Sequence, residues 1–283
     1  MLEEVQREKP FDFARHSTIA CGGKARQAFY PQTEEALCAL SARYGRQAWI
    51  LGNLSNVLPM DEDTDKTVIS TKKLSAIRRV ADGVYVEAGV ISGKLLRFMQ
   101  DTGCGGVEFL AGIPCTLGGI FFMNGGAGGQ YIAQWLNSVR IYRNGHILDL
   151  PVKECGYAYK QSVFMQTNDV ILGGTLRLRQ STPQAVKTEI KGWLDKRAHL
   201  PKGNSMGCVF KNPPQYAAGE LIERAGLKGT RVGGAIVSTE HANFILNERH
   251  ATAREICTLI EQVKDKVYQC CGIVLEEEIR YLQ

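Results

Sequence analysis

The chain lacks the long apolar segments of a membrane protein. None of its 283 residues belongs to a run of the roughly 18 apolar residues that a membrane-spanning helix needs. The charged segment from Met1 to Lys9 is not followed by the apolar core of a signal peptide. We therefore expect a cytoplasmic protein that does not act on a membrane.

Signals for metal and nucleic-acid binding are also scarce. The nine cysteines include no Cys-x-x-Cys pair, and the adjacent Cys270 and Cys271 are unsuited to a tetrahedral metal site. The formal net charge is only +5, and no run of five like charges occurs. We expect no metal, no nucleic-acid partner and reduced, mostly buried thiols, whereas an anionic small substrate fits the charge.

The composition is that of an ordinary globular protein, with 44% apolar and 22% charged residues. Its length suffices for two compact domains. Thr33 is predicted to cap a helix, Asn144-Gly145 to join a hairpin, and Thr252 with Glu255 to form the capping box of a final helix. Further predicted elements are strands at 48–51, 84–90, 170–178 and 273–275, a helix capped by Ser92 that stops at Gly103, and a helix over 186–194.

Glycine is concentrated in one segment, residues 112–129, which holds seven. Such loops let backbone N–H groups approach an anion closely. Gly52-Asn53-Leu54-Ser55-Asn56 is a second candidate, directly after an apolar strand. Neither matches the dinucleotide G-x-G-x-x-G or the P-loop pattern, so tight turns remain an equal alternative to a phosphate site.

The segment from Gly207 to Pro213 places a thiol, an amine and an amide within a few residues, as Cys208, Lys211 and Asn212. A thiol here could be a proton donor, a nucleophile or a small buried side chain. Lys160 and His241 are equally ambiguous, since a surface lysine and a structural histidine are the commoner cases. For the glutamates at 276–278 the default is a solvated chain end.

Taken together and in order, these segments resemble the MurB family of UDP-N-acetylenolpyruvoylglucosamine reductases. The resemblance runs over nearly the whole chain and is closest in the last third. It is carried by Thr18 to Gly23, Leu51 to Leu58, Ile113 to Gly119, Met123 to Gly129, Gly207 to Pro213, Ala225 to Gly229, Gly233 to Ala235, His241 to Phe244 and Leu275 to Arg280.

The resemblance implies an α+β protein built around a domain that binds FAD non-covalently. That domain, of the vanillyl-alcohol-oxidase (PCMH) type, is expected over 15–183, with subdomains of about 15–75 and 76–183. A C-terminal α+β substrate domain is expected over 184–283. The short chain resembles the type II branch, and we expect a monomer.

The implied reaction is the NADPH-dependent reduction, through FAD, of a UDP-sugar enolpyruvate to UDP-N-acetylmuramate in peptidoglycan synthesis. Residue by residue, the resemblance assigns catalysis to Cys208, Glu278 and Lys160. It assigns the UDP-sugar to Tyr159, Lys211, Asn212 and His241. The FAD residues it implies are Gly52, Asn53, Leu54, Ser55, Asn56, Val57, Ile113, Pro114, Thr116, Gly118, Gly119, Asn124, Gly125 and Gly126.

The sequence departs from the family at two of these positions. Lys160 stands where an arginine is usual, and Cys208 stands where the proton donor is usually serine. A thiol is a much stronger acid than a hydroxyl, with an ordinary pKa of about 8.5. The alternatives are a paralogue that binds flavin or a nucleotide sugar with altered catalysis, another FAD-dependent oxidoreductase of this fold, or an arginine such as Arg231 acting in place of Lys160.

Overall fold

The computed structural model describes residues 5–283. The helices are α1 (Phe13–His16), α2 (Glu34–Tyr44), α3 (Ser92–Thr102), α4 (Leu117–Met123), α5 (Pro183–Lys196), α6 (Ala218–Arg224) and α7 (Ala253–Cys271). The strands are β1 (Gln6–Glu8), β2 (Phe11–Asp12), β3 (Lys24–Tyr30), β4 (Ala48–Leu51), β5 (Val57–Pro59), β6 (Thr64–Ser70), β7 (Ile77–Val80), β8 (Gly83–Glu87), β9 (Cys104–Gly105), β10 (Gly126–Ala127), β11 (Gln130–Tyr131), β12 (Leu136–Arg143), β13 (His146–Pro151), β14 (Val170–Leu176), β15 (Arg179–Gln180), β16 (Ser205–Cys208), β17 (Arg231–Val232), β18 (Ala235–Val237), β19 (Phe244–Asn247) and β20 (Arg280–Leu282).

Two compact units divide the chain. The first comprises the residues up to Lys9, Gln27–Asn53 and Lys66–Ala198, and the second comprises Pro10–Arg26, Leu54–Asp65 and His199–Gln283. Strands β3 and β6 each begin in the second unit and end in the first.

The first unit contains two larger sheets, besides the two-stranded sheets β10-β11 and β15-β9. One has the order β1-β3-β6-β4, in which β4 and β6 are parallel, and the other is the antiparallel sheet β13-β12-β14-β8-β7. Strand β14 is buried along its whole length because its alternate side chains enter different cores. Ile171 joins the core beneath α3, α4 and α5, whereas Leu172 packs with Leu37 and Leu40 of α2.

The second unit is built on the antiparallel sheet β16-β19-β18-β17, with α7 packed against the sheet and α6 packed against α7. One apolar stripe of α7 is fully buried, at Ile256, Leu259, Ile260, Val263 and Val267. Parallel pairing of β20 with β5 places Leu58 in the same core.

The units differ from the domains predicted from the sequence. Helix α5 belongs to the first unit, because Val186, Ile190 and Trp193 pack on the core of that unit. Residues 10–26 and 54–65 belong to the second unit, since Ile19 and Leu58 are buried in its core.

Two local predictions were wrong. Ser92 is the first residue of α3 and not its cap, and its hydroxyl donates to the carbonyl oxygen of Ile113 at 2.5 Å. Residues 273–275 form no strand, and Val274 is 72% exposed. The last strand is β20 instead, which pairs in parallel with β5. None of the helices between residues 5 and 283 combines the length and the apolar character that crossing a bilayer demands.

The predicted helix at 34–44, the Asn144-Gly145 hairpin and the Thr252 capping box are confirmed. The Thr252 hydroxyl accepts from the Glu255 N–H at 3.1 Å, and a Glu255 carboxylate oxygen accepts from the Thr252 N–H at 3.0 Å. Asp61 accepts the next two N–H groups, those of Ala253 and Arg254, at 2.7 and 3.0 Å. Helix α7 therefore begins with its N–H groups satisfied.

Replacing Thr252 by alanine should lower the free energy of unfolding by about 1 kcal/mol, because an N-cap hydroxyl is lost. Thr258→Ala is the matched control. Its hydroxyl only donates to the Arg254 carbonyl within α7, and alanine is the better helix former. Urea unfolding of both variants measures the difference, and equal losses would contradict the capping role.

Candidate active site

In the first unit, the two glycine-rich loops meet at the end of β4. A Cβ atom added to Gly52 would lie 2.0 Å from the Thr116 hydroxyl oxygen, so only glycine permits this approach. The side-chain amide of Asn53 donates to the Pro114 carbonyl at 2.8 Å. The loops at 52–53 and 113–116 therefore form one continuous backbone surface.

The later part of the glycine-rich segment 112–129 is held by Asn124, which ends α4 in the left-handed region with φ 45°. Its buried amide donates to the Ala158 carbonyl at 2.8 Å and accepts from the Ala133 N–H at 3.2 Å. Gly126 pairs with Tyr131 in the β10-β11 hairpin. The Asn124 side chain is thus engaged in holding neighbouring segments of this unit together.

One of those segments presents Tyr159 and Lys160. Ala158 and Gln161 exchange two backbone hydrogen bonds of 3.2 Å, and the two residues between them form a tight turn with Lys160 at φ 54°. The Ser162 hydroxyl fastens the turn to the Phe122 carbonyl at 2.6 Å. Lys160 is therefore held on an anchored turn, and the Tyr159 ring packs edge-on against Tyr131.

The predicted FAD residues at 52–57 are divided between the two units. Gly52 and Asn53 belong to the first unit, whereas residues 54–57 belong to the second. The Asn56 amide donates to the Glu278 carbonyl at 3.1 Å, and the Asn56 carbonyl accepts from the Arg280 N–H at 3.0 Å. Asn56 therefore holds the backbone around Glu278.

Cys208 lies at the end of β16, opposite Phe244 of β19. The register of the two strands shifts between Ser205 and Cys208, at Gly207, whose φ of 77° suits a β-bulge. Cys208 is half-buried, and no disulfide joins any of the nine cysteines.

Beyond Cys208, the segment 209–211 is bound on both sides. On one side, Asn243 accepts from the Phe210 N–H through its side-chain oxygen at 2.9 Å and donates to the Phe210 carbonyl at 2.8 Å. On the other side, the Glu278 N–H donates to the Val209 carbonyl at 2.7 Å, and the Lys211 N–H donates to the Glu276 carbonyl at 2.8 Å. Residues distant in sequence, Cys208 and Glu278, are thereby placed on adjoining backbone segments.

The three glutamates differ in environment and do not form a solvated end. The exposed Glu276 carboxylate forms an ion pair with Lys211. The mostly buried Glu277 carboxylate binds Lys264 at 3.0 Å and accepts from the Tyr281 hydroxyl, and burial followed by this hydrogen bond raises the pKa of Tyr281. Glu277 is thus engaged in the fold. Glu278 is half-buried, and its backbone pairs with Val209, the residue after Cys208.

Asn212 and His241 flank these segments. The Asn212 side-chain oxygen accepts from the Ala218 N–H at the start of α6 at 2.9 Å. The Nδ1 atom of His241 accepts from the Asn243 N–H at 3.3 Å, which assigns the proton of the neutral ring to Nε2. Burial, followed by the charge of His199, lowers the pKa of His241 and favours that neutral form. Arg231, the arginine considered above as a replacement for Lys160, forms an ion pair with Glu248.

Comparison with known proteins agrees with this arrangement in both parts of the chain. Residues 198–282 match the family model for the C-terminal domain of UDP-N-acetylenolpyruvoylglucosamine reductase. Residues 25–150 match the model of an FAD binding domain.

Individual relatives match over nearly their full length. The UDP-N-acetylenolpyruvoylglucosamine reductase of Geobacter metallireducens is 36% identical, with 98% of this chain and 93% of the relative covered. That of Syntrophobacter fumaroxidans is 38% identical, with coverage of 99% and 85%. The crystal structure of MurB from Thermus caldophilus superposes with a TM-score of 0.85 at 30% identity, covering 99% of both chains.

The chain belongs to the MurB family. The resemblance and the fold class predicted from the sequence are confirmed. The protein is accordingly an FAD-dependent oxidoreductase.

The backbone of the first unit suits the phosphates of FAD. In the part of the chain that the structure describes, the N–H groups of Asn53 and Thr116 have no hydrogen-bond partner. Both lie where Gly52 lets the loops meet, and backbone N–H groups grouped in this way bind anions. The loops at 52–53 and 113–116 therefore offer donors that fit the diphosphate of FAD.

Asn243 is not among the site residues predicted from the sequence, although it lies in His241 to Phe244, one of the segments that carry the family resemblance. Its amide matches both polar groups of Phe210, as a neighbouring strand would. The signal available in the sequence was a polar residue inside an otherwise apolar strand pattern, Ala242 to Leu246.

Asn243→Ala should lower the free energy of unfolding by about 2 kcal/mol or more, because it leaves the buried N–H and C=O groups of Phe210 unsatisfied. Asn137→Ala is the control, since the Asn137 amide makes one exposed bond to the Asp82 carbonyl and its loss should cost about 1 kcal/mol or less. Urea unfolding compares the two variants. An Asn243 variant as stable as the Asn137 variant would refute this role of the Asn243 side chain, which we call the clamp on Phe210.

Proposed function

We propose that this chain uses NADPH to reduce the enolpyruvyl group of UDP-N-acetylglucosamine enolpyruvate, which gives UDP-N-acetylmuramate for peptidoglycan. Membership of the MurB family over almost the whole chain supports the reaction. The observation that carries the residue assignment is the backbone bond between Glu278 and Val209, which puts a carboxylate on the segment next to the Cys208 thiol.

The chemistry requires a hydride at one carbon and a proton at the next. Bound FAD would supply the chemistry of hydride transfer, from NADPH to the β-carbon of the unsaturated carboxylate. Negative charge then develops on the substrate as an enolate, so the protein must stabilise that charge and deliver a proton to the α-carbon. Both tasks fall to side chains of this chain.

Cys208 is the proton donor in this proposal. The bulge at Gly207 and the clamp on Phe210 give the Cys208 backbone a defined position, as a donor that must reach one carbon atom requires. A thiol gives up its proton more readily than the serine hydroxyl usual in the family. Its oxidation by peroxides or thiol reagents would remove that proton.

Glu278 and Lys160 complete the catalytic set. Glu278 is the supporting polar group, held by its N–H bond to Val209 and by the bond of its carbonyl to Asn56. Lys160 supplies the positive charge that stabilises the enolate carboxylate. A lysine acts as a point charge where arginine would make a bidentate contact. The anchored turn fixes the backbone of Lys160, so the position of this charge varies less than it would on a mobile loop.

The UDP-sugar is assigned to Tyr159, Lys211, Asn212 and His241. Neutral His241 offers its Nε2–H as a donor to a phosphate or sugar oxygen, and Lys211 offers its ammonium group after exchanging the surface carboxylate of Glu276 for the ligand. The cytoplasmic location, the monomeric state and the type II assignment stay predictions.

An assay of the purified holoprotein tests the overall reaction. NADPH consumption should depend on UDP-N-acetylglucosamine enolpyruvate and yield UDP-N-acetylmuramate, which mass spectrometry identifies. UDP-N-acetylglucosamine, without the enolpyruvyl group, is the control and should not support turnover. Consumption that is indifferent to the substrate would instead indicate another FAD-dependent oxidoreductase, and binding without turnover would indicate a paralogue with altered catalysis.

Cys208→Ala should leave reduction of the bound cofactor by NADPH unchanged and slow its reoxidation by substrate at least about 100-fold, because the proton donor is lost. Cys208→Ser should retain part of the activity. Stopped-flow absorbance separates the two half-reactions. Cys270→Ala is the control, since Cys270 is an exposed thiol on α7, and it should behave as wild type. Normal turnover by Cys208→Ala would refute the donor role.

A further inference from the structure

Lys72 is a half-buried lysine whose charge has no partner in the structure. Within residues 5–283 its ammonium group makes no hydrogen bond and no ion pair. Burial lowers its pKa. A cation that has lost part of its water without gaining an anion is unfavourable, so the site lacks a negatively charged group. The next residue, Lys73, is exposed.

The strand order puts Lys72 at the same sheet edge as the first glycine-rich loop. Strands β4 and β6 are parallel, with Leu51 opposite Ser70, so both chains leave the sheet side by side. Gly52 and Asn53 follow Leu51, while Thr71 and Lys72 follow Ser70. The Thr71 hydroxyl donates back to the Leu51 carbonyl at 3.4 Å, which ties the two exits together.

That edge already carries donors for an anion. The N–H groups of Asn53 and Thr116 have no partner in the described part of the chain, and the close approach at Gly52 brings their loops together. In open sheets, ligands commonly bind beyond the carboxyl ends of parallel strands. Unpaired N–H donors and an unpaired cation therefore occupy one edge of the same sheet.

We propose that Lys72 binds the diphosphate of FAD and supplies the positive charge that the glycine-rich loops lack. Lysine is a common phosphate ligand that acts as a point charge. The diphosphate of FAD is favoured over that of NADPH or of the UDP-sugar because Gly52, Lys72 and Thr116 all lie within residues 25–150, which match an FAD binding domain. Lys72 is outside every set of residues assigned above.

The test measures FAD affinity of the apoprotein by quenching of flavin fluorescence. Lys72→Gln should weaken FAD binding about 10- to 100-fold, the effect of losing a hydrogen-bonded charge pair. Lys73→Gln removes the same charge from the exposed neighbour and should change the affinity less than about twofold, as expected of a solvent-screened charge. Lys72→Arg should recover part of the loss.

Riboflavin, which has no phosphate, separates a phosphate contact from a structural effect. Its affinity should be the same for wild type and Lys72→Gln, and the unfolding temperatures of the two apoproteins should agree. If Lys72→Gln weakens riboflavin and FAD equally, the lysine acts only by covering apolar surface with its stem, and the proposal is wrong.

Three further results would overturn the proposal. The first is unchanged FAD affinity in Lys72→Gln, and the second is an equal loss in Lys73→Gln. The third is normal FAD affinity with a raised Michaelis constant for NADPH, which would assign Lys72 to the reductant. Failure of the wild-type apoprotein to bind FAD at all would overturn the cofactor assignment as well, so the two failures are distinguishable.

Discussion

The second unit depends on one backbone pairing, that of residues 209–211 with residues 276–278. The Glu278 N–H to Val209 carbonyl bond and the Lys211 N–H to Glu276 carbonyl bond join the two segments. Asn243 holds the other edge of the first segment, and Asn56 holds the second. Four parts of the chain thus converge on the backbone around one thiol and one carboxylate.

In the first unit the corresponding constraint is the close approach of loops that have no bulky side chains. Gly52 passes so near to Thr116 that a single Cβ atom would collide with its hydroxyl. The polar side chains nearby, Asn53 and Asn124, are bonded to backbone carbonyls of their own unit. The groups that could meet a phosphate there are backbone N–H groups and the Thr116 hydroxyl, none of which carries a charge.

The two departures from the family pattern are chemically compatible with the scaffold. In the proposed mechanism, a cysteine in place of serine makes the proton donor more acidic and keeps the same number of bonds between that donor and the backbone. Replacing arginine by Lys160 removes a bidentate contact but keeps the charge. The turn that carries Lys160 is anchored by Asn124 and Ser162. The position of the positive charge therefore depends less on whether a lysine or an arginine carries it.

The sequence alone determined the local elements and the family. Capping residues, the Asn-Gly turn and apolar periodicity act over a few residues, and the predictions at Thr33, Asn144 and Thr252 are confirmed because those interactions are local. Only the tertiary structure decided which segments belong to which unit and that 273–275 is not a strand. It also decided that the Glu277 side chain is engaged in the fold, while the Glu278 backbone pairs with Val209, the residue after Cys208. Those outcomes depend on partners dozens of residues away or more, which periodicity and propensity do not encode.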